Sequence, residues 1–198
     1  MFKVIAVAGS PRREGNSATL LKAALAGATA AGAQAEVVYL NDLSFRGCQG
    51  CQPCTADDTC RVQDELTPVL GRLRQADVWL LGAPIYFDGV SGQMKLFFDR
   101  LHHLTNEAGQ LRKMLPGRRA AAIVVTYEDK PRDDYREVAQ RLANYLGWMG
   151  RFDPVEVVSL GRLGPSDAAA ARPELLAEAR ALGQRLVEQL AQQGRTDG

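Results

Sequence analysis

All four cysteines of this 198-residue chain lie in residues 48–60, CQGCQPCTADDTC, with the spacing C-x2-C-x2-C-x5-C. Thiols gathered in one short loop can grip a metal, ligate an iron–sulfur cluster, form disulfides or act as a redox switch. Zinc sites usually present two C-x2-C knuckles about a dozen or more residues apart, so that two turns hold a tetrahedral ion from opposite sides. Here Cys48, Cys51 and Cys54 follow one another at intervals of three. That run suits thiolates wrapping the separate corner irons of a cubane. With no second cysteine run, Cys60 is expected to serve the same site. Gly47, Gly50 and Pro53 bend the loop, and Gly50 leaves room for an inorganic sulfide. Zinc and metal-free vicinal thiols stay open as alternatives.

Two further stretches carry groups suited to binding. AGSPRREGNSATLL, from residue 8, is neither a dinucleotide fingerprint nor a P-loop. Gly9 and Gly15 miss the G-x-G-x-x-G spacing, five residues separate them rather than four, and Asn16 stands where a P-loop has lysine. What remains is a small, hydroxyl-bearing turn that opens a helix. Ser10, Asn16 and Ser17 offer side-chain donors, Arg12 adds charge, and the helix start adds backbone N–H groups and a positive dipole end. This suits one terminal phosphate; the plainer reading is a helix cap by Asn16 or Ser17. In GAPIYFDGVSGQMKLFFDR, from residue 82, Tyr86 and Phe87 either offer a planar ligand a stacking surface or pack beneath the loop. His102 and His103 are adjacent on a helix, diverge, and are expected at a surface or interface.

The elements that must position these groups alternate in type. Apolar runs predict strands at 3–8, 36–40, 78–83 (stopped by Pro84), 119–126 and 155–159. Helical spacing predicts helices at 17–31, around Leu66–Leu73, at 91–104, at 133–147 and at 173–192, the last opened by a proline. GRLGPSD reads as a loop and the final QQGRTDG as frayed. Five strands alternating with five helices imply a flavodoxin-like α/β fold, a three-layer αβα sandwich on a parallel sheet of order 2-1-3-4-5. Residues 1–198 form one domain, with the cysteine-rich loop 45–62 inserted after strand two. Ligands in such sheets bind beyond the carboxyl ends of the strands. The loops after Ala8, Gly82 and Val125 should therefore carry the chemistry, with the cysteine loop on the same edge.

Composition narrows the function further. The chain has 24 basic and 23 acidic residues, so no overall field favours nucleic acid or an anionic membrane. No apolar run approaches the roughly 20 residues needed to span a bilayer. MFKVIAVAGSPRR is too short in apolar residues for a signal sequence, so a cytoplasmic location is expected, where thiols stay reduced and structural disulfides are disfavoured.

Taken together, GSPRREGNS, the cysteine run and PIYFDGVSGQMKLFFDR resemble the NADPH-dependent FMN reductase superfamily, most nearly its iron–sulfur flavoprotein branch, from the chain start to about residue 160. The resemblance implies that Ser10, Arg12, Asn16 and Ser17 hold the FMN phosphate. It implies that Pro84, Ile85, Tyr86 and Phe87 line the flavin ring, with Thr126 on the ring's other side. It also implies a [4Fe–4S] cluster on Cys48, Cys51, Cys54 and Cys60, and a homodimer or homotetramer. After Thr126, where relatives often carry glycines, this chain reads YEDKPRDD, which changes that wall of the pocket. The expected function is an oxidoreductase passing electrons between NAD(P)H, a ferredoxin-type protein or a quinone through FMN and the cluster, with no acid–base residue required. The alternatives are a plain NAD(P)H:FMN or quinone reductase without a cluster, and a non-enzymatic module whose interaction loop is stabilised by zinc.

Overall fold

The computed structural model describes residues 1–51, 54, 59–104, 115–165 and 167–193. Five parallel strands form the sheet: β1 (Lys3–Ala8), β2 (Gln34–Tyr39), β3 (Val78–Tyr86), β4 (Leu115–Thr126) and β5 (Gly150–Leu160). Their order is β2-β1-β3-β4-β5, the doubly wound arrangement expected. The register pairs Ala8 with Tyr39 and with Gly82, and Pro84 with Thr126, so the carboxyl ends of the central strands finish together. Residues 4–8 of β1 and 78–83 of β3 are fully buried, as continuous apolar strands covered on both faces must be.

Each face of the sheet has its own helices because consecutive residues of a strand point to opposite sides. Ile5, Val7, Trp79, Leu81 and Ile123 pack under α2 (Thr67–Gln75), α3 (Gly92–Arg100) and α4 (Arg136–Leu146). Val4, Ala6, Leu80, Ala122 and Val124 pack under α1 (Asn16–Ala30) and α5 (Pro173–Gln193). None of the described helices is long and apolar enough to cross a membrane.

The elements differ from the sequence expectations mainly at their ends. β3 does not stop at Pro84 but continues to Tyr86. Residues Gly89–Val90 fold back on it as a two-residue hairpin, pairing Ile85 with Val90 and Tyr86 with Gly89. Pro84 has no N–H to give, but its φ suits an extended chain and its carbonyl accepts from the Ser91 N–H at 3.1 Å. β4 and β5 begin earlier than expected, because their first residues are partly exposed and carry no continuous apolar run. The helical stretch from 91 ends as an α-helix at Arg100 and tightens into a 3₁₀ turn over Leu101–Leu104. Of the tail expected to fray, residues 194–198 lie outside the described residues, while Gln192 and Gln193 end α5.

Helices α1 and α5 cross at contact of their backbones. A Cβ on Gly27 would stand 1.9 Å from the Arg180 carbonyl oxygen, and one on Gly183 would stand 1.9 Å from that of Ala24. Neither backbone can yield without shifting a helix, so both positions require glycine. Gly183→Ala is expected to lower stability by about 1–3 kcal/mol or more. The fall should register as a drop of several degrees in the thermal midpoint, whereas Gly71→Ala, with open space around its Cβ, should not lower it.

Candidate functional site

The loop after β1 is held from both ends. The Gly9 N–H donates to the Gly82 carbonyl at 2.8 Å, and its own carbonyl accepts from the fully buried Ser91 hydroxyl at 2.6 Å. There is no room for a side chain at Gly9, since its Cβ would meet that of Met94 at 2.8 Å. Ser10 is buried and its hydroxyl accepts from the Arg12 N–H at 3.1 Å, which turns the chain sharply towards α1. Helix α1 starts at Gly15 with no side chain capping it and no acid in its first turn. Its leading N–H groups and positive dipole end lie at the cleft, where Gly15, Asn16 and Ser17 form part of the lining.

That cleft is lined by Ser10, Arg12, Asn16, Ser17, Pro84, Ile85, Tyr86 and Thr126, eight of the nine residues expected to contact a flavin. Phe87 is the ninth. It is fully exposed at the hairpin tip, at φ +47° with Asp88 at φ +59°, a pair of left-handed residues that makes the tight turn between β3 and its return. The Tyr135 hydroxyl donates to Asp88 and braces this tip. Hydrogen bonding and the charge of Asp88 push the Tyr135 hydroxyl up from its ordinary pKa.

Asn16 differs from its expected use. Its side-chain amide donates to the carbonyls of Leu163 (3.1 Å) and Pro165 (2.9 Å), and its oxygen accepts from the Ala169 N–H at 2.8 Å. The amide is thus spent on the loop after β5, which it draws over the cleft, where Leu163 and Gly164 join the wall. Tyr127 and Glu128 complete it. The YEDKPRDD segment is well anchored: the Tyr127 hydroxyl donates to the Pro131 carbonyl at 2.9 Å, and its ring meets Tyr135 edge-on. Gly161 lets the two loops touch, since its Cβ would stand 2.0 Å from the Lys130 carbonyl oxygen.

The cysteine loop leaves β2 at the carboxyl edge but does not stay there. It runs back along α3, with Gly47 pressed beneath Leu96, and its neck closes near Arg100. Ser91 and Arg100 are separated by roughly 13 Å along the helix axis, at 1.5 Å per residue. The cysteines therefore lie towards the far end of α3 from the cleft, not beside it on one edge. Cys48, Cys51, Cys54 and Cys60 line a single hollow with Arg100, His102 and His103. Burial, and then the charges of Cys60, Cys51 and Cys48, push the Cys54 thiol up. Gly50 adopts φ +65°, which only glycine takes without strain, while Pro53 lies outside the described residues. Among the described residues, no three His, Cys, Asp or Glu side chains are arranged to hold a metal ion. His103 is buried rather than at the surface, its Nδ1 donating to the Arg100 carbonyl at 2.7 Å.

A family model described as NADPH-dependent FMN reductase matches residues 2–162. The chain belongs to that family. An iron–sulfur flavoprotein of Methanocaldococcus jannaschii is 39% identical over 99 residues, which make up 50% of this chain and 51% of that protein. The chain spans about half the length of the curated relatives it matches at this level. Among solved structures, an NAD(P)H:quinone oxidoreductase from Methanothermobacter marburgensis superposes at a TM-score of 0.70 and 20% identity, over 93% of this chain and 96% of the other. A flavodoxin from the domain Archaea superposes at 0.56 and 17%, over 96% and 99%. These two likenesses are of fold, and the fold is flavodoxin-like.

Within this FMN reductase-family chain, sequence reasoning put the segment YEDKPRDD in the pocket wall without singling out Tyr127 or Glu128, and missed Leu163 and Gly164. The rule that ligands bind at carboxyl strand ends pointed to the loop after β4, where only Thr126 was named. The loop after β5 had no signal, because it reaches the cleft only through Asn16. Burial alone would raise the Asp64 carboxyl, yet the hydrogen bonds from Arg100, Arg46 and Leu66 and the charge of Arg100 together outweigh this and hold it below the usual carboxylate range. A carboxylate depressed in the folded state contributes stability that is present above its unfolded pKa and lost as pH falls through the folded one. From pH 7 to about pH 3, the native protein should lose more of its urea midpoint than Asp64→Asn, which has no proton to take up there.

Proposed function

We propose that this chain binds FMN in the cleft at the carboxyl ends of β1, β3 and β4, holds an iron–sulfur cluster on its four cysteines, and acts as an electron-transferring oxidoreductase. The observation that carries the reading is the convergence of phosphate-type donors with an apolar, aromatic wall in one cleft. Ser10, Arg12, Ser17 and the uncapped start of α1 supply one end, and Pro84, Ile85, Tyr86 and Thr126 the other. The donors suit the FMN phosphate, with Arg12 adding a charge-assisted bond. Asn16 serves from behind, through the loop it anchors. Pro84 to Tyr86 offer backbone groups and one ring to the flavin, and Phe87 stands beyond them as a surface for a partner or a second subunit. Bound FMN takes up a hydride as an electron pair and releases electrons singly.

The cysteine hollow fits an anionic, thiolate-bound group. The four cysteines line one hollow, and the Nε of the buried Arg100 beside them has no hydrogen-bond acceptor among the described residues. A [4Fe–4S] cluster on Cys48, Cys51, Cys54 and Cys60 suits that donor set, and the family relatives named iron–sulfur flavoproteins support it. NAD(P)H, a ferredoxin-type protein or a quinone would exchange electrons with these centres. A second reading is a plain NAD(P)H:FMN or quinone reductase with free thiols, which the family-model match to NADPH-dependent FMN reductases supports equally.

Protein purified under argon should be yellow-brown, with FMN, iron and sulfide in stoichiometric amounts. Arg12→Ala should weaken FMN binding about tenfold, the worth of one charge-assisted hydrogen bond. Failure to bind FMN in either redox state overturns the flavin reading. Zinc, or no broad visible absorbance after anaerobic reconstitution, overturns the cluster. Steady NADPH oxidation with all four cysteines replaced would establish the plain reductase.

A further inference from the structure

Arg100 is a charged side chain only 1% exposed, at the carboxyl end of α3. Its Nη1 donates to the Arg46 carbonyl at 2.8 Å and to Asp64 Oδ2 at 2.6 Å, and its Nη2 donates to the Val62 carbonyl at 3.0 Å. Arg46 precedes the cysteine run and Val62 and Asp64 follow it, so one guanidinium spans both sides of the loop's neck. The neck is closed further by Asp64, whose carboxylate accepts from the N–H groups of Arg46 and Leu66, both at 3.1 Å. Only arginine can do this, since its planar fork presents five donors in fixed directions, where a lysine offers one compact charge.

The same guanidinium lines the cysteine hollow together with Cys60. Its Nε is buried without an acceptor among the described residues. A buried donor left unpaired is costly, and natural structures rarely keep one without a use. Thiolate or inorganic sulfide beside it would satisfy that donor. Hydrogen bonds to cluster sulfurs stabilise the more negative, reduced state and so raise the reduction potential.

We propose that Arg100 is the positioning residue of the cysteine site: it shuts the neck of the loop through Arg46, Val62 and Asp64, and turns its Nε–H to the sulfur-bound group. The first half stands on the hydrogen bonds alone, and the second rests on the cluster reading above. Arg100→Gln removes the charge and the fork, Arg100→Lys keeps the charge, and Asp64→Asn keeps the arginine but weakens its anchor.

Two measurements separate the halves. In metal-free, FMN-loaded protein, alkylation of the buried Cys54 by iodoacetamide, followed by mass spectrometry, reports opening of the neck. It should be about tenfold faster in Arg100→Gln and in Asp64→Asn, with FMN affinity unchanged. In anaerobically reconstituted protein, a redox titration followed by electron paramagnetic resonance should place the Arg100→Gln cluster at a more negative potential than the native one, with Arg100→Lys between them. Native alkylation rates in Asp64→Asn overturn the clamp, even if Arg100→Gln fails to fold. An unchanged potential in both Arg100 variants overturns the donor role. If the native protein takes up no iron or sulfide, the cluster reading and the donor role fall together, while the alkylation rates still decide the clamp.

Discussion

The buried hydrogen bond from Ser91 to the Gly9 carbonyl joins the first turn of α3 to the loop after β1, and the geometry of the cleft depends on it. Gly9 also donates to Gly82, so the ends of β1 and β3 and the start of α3 are drawn to one point. No side chain can stand between them, because Met94 fills the space a Cβ would need. Loops otherwise free to diverge are thereby held as facing walls. The hairpin beyond Pro84 and the uncapped start of α1 then open onto the same cleft.

Helix α3 carries that constraint to its other end. Its first turn is fixed at the cleft, and its last residue, Arg100, grips both sides of the cysteine neck. Gly47 beneath Leu96 and Asn41 beside Gln93 keep the intervening chain against the helix. One short, rigid element thus sets the separation between the two candidate redox sites. Burying a guanidinium at its end is tolerable because Asp64 neutralises it and two backbone carbonyls accept from it.

A second device works at the cleft's outer rim. Asn16 commits both of its amide N–H donors and its amide oxygen to the loop after β5. Gly161 allows that loop to touch the segment after β4, and Tyr127 and Tyr135 pack edge-on between them. Where a run of glycines would leave a pliable wall, this chain has a packed aromatic one. The Tyr135 hydroxyl extends the bracing to Asp88 at the hairpin tip.

Local patterns in the sequence were enough to determine the alternation of strands and helices, the sheet order, and the three segments that line the cleft and the cysteine hollow. Apolar runs and helical spacing are properties of neighbouring residues, and the parallel alternation leaves few ways to connect them. Strand ends were less legible where burial is partial, as in β5, or where a hairpin extends the pairing, as beyond Pro84. Only the tertiary structure decided that the cysteines sit at the far end of α3, that the Asn16 amide is bonded to the loop after β5, and that Leu163 and Gly164 enter the cleft. Each of these rests on contacts between residues far apart in the chain: Arg100 with Arg46, Gly47 with Leu96, Asn16 with Ala169. Such contacts arise only when the packed sheet brings the segments together, and no local spacing encodes them.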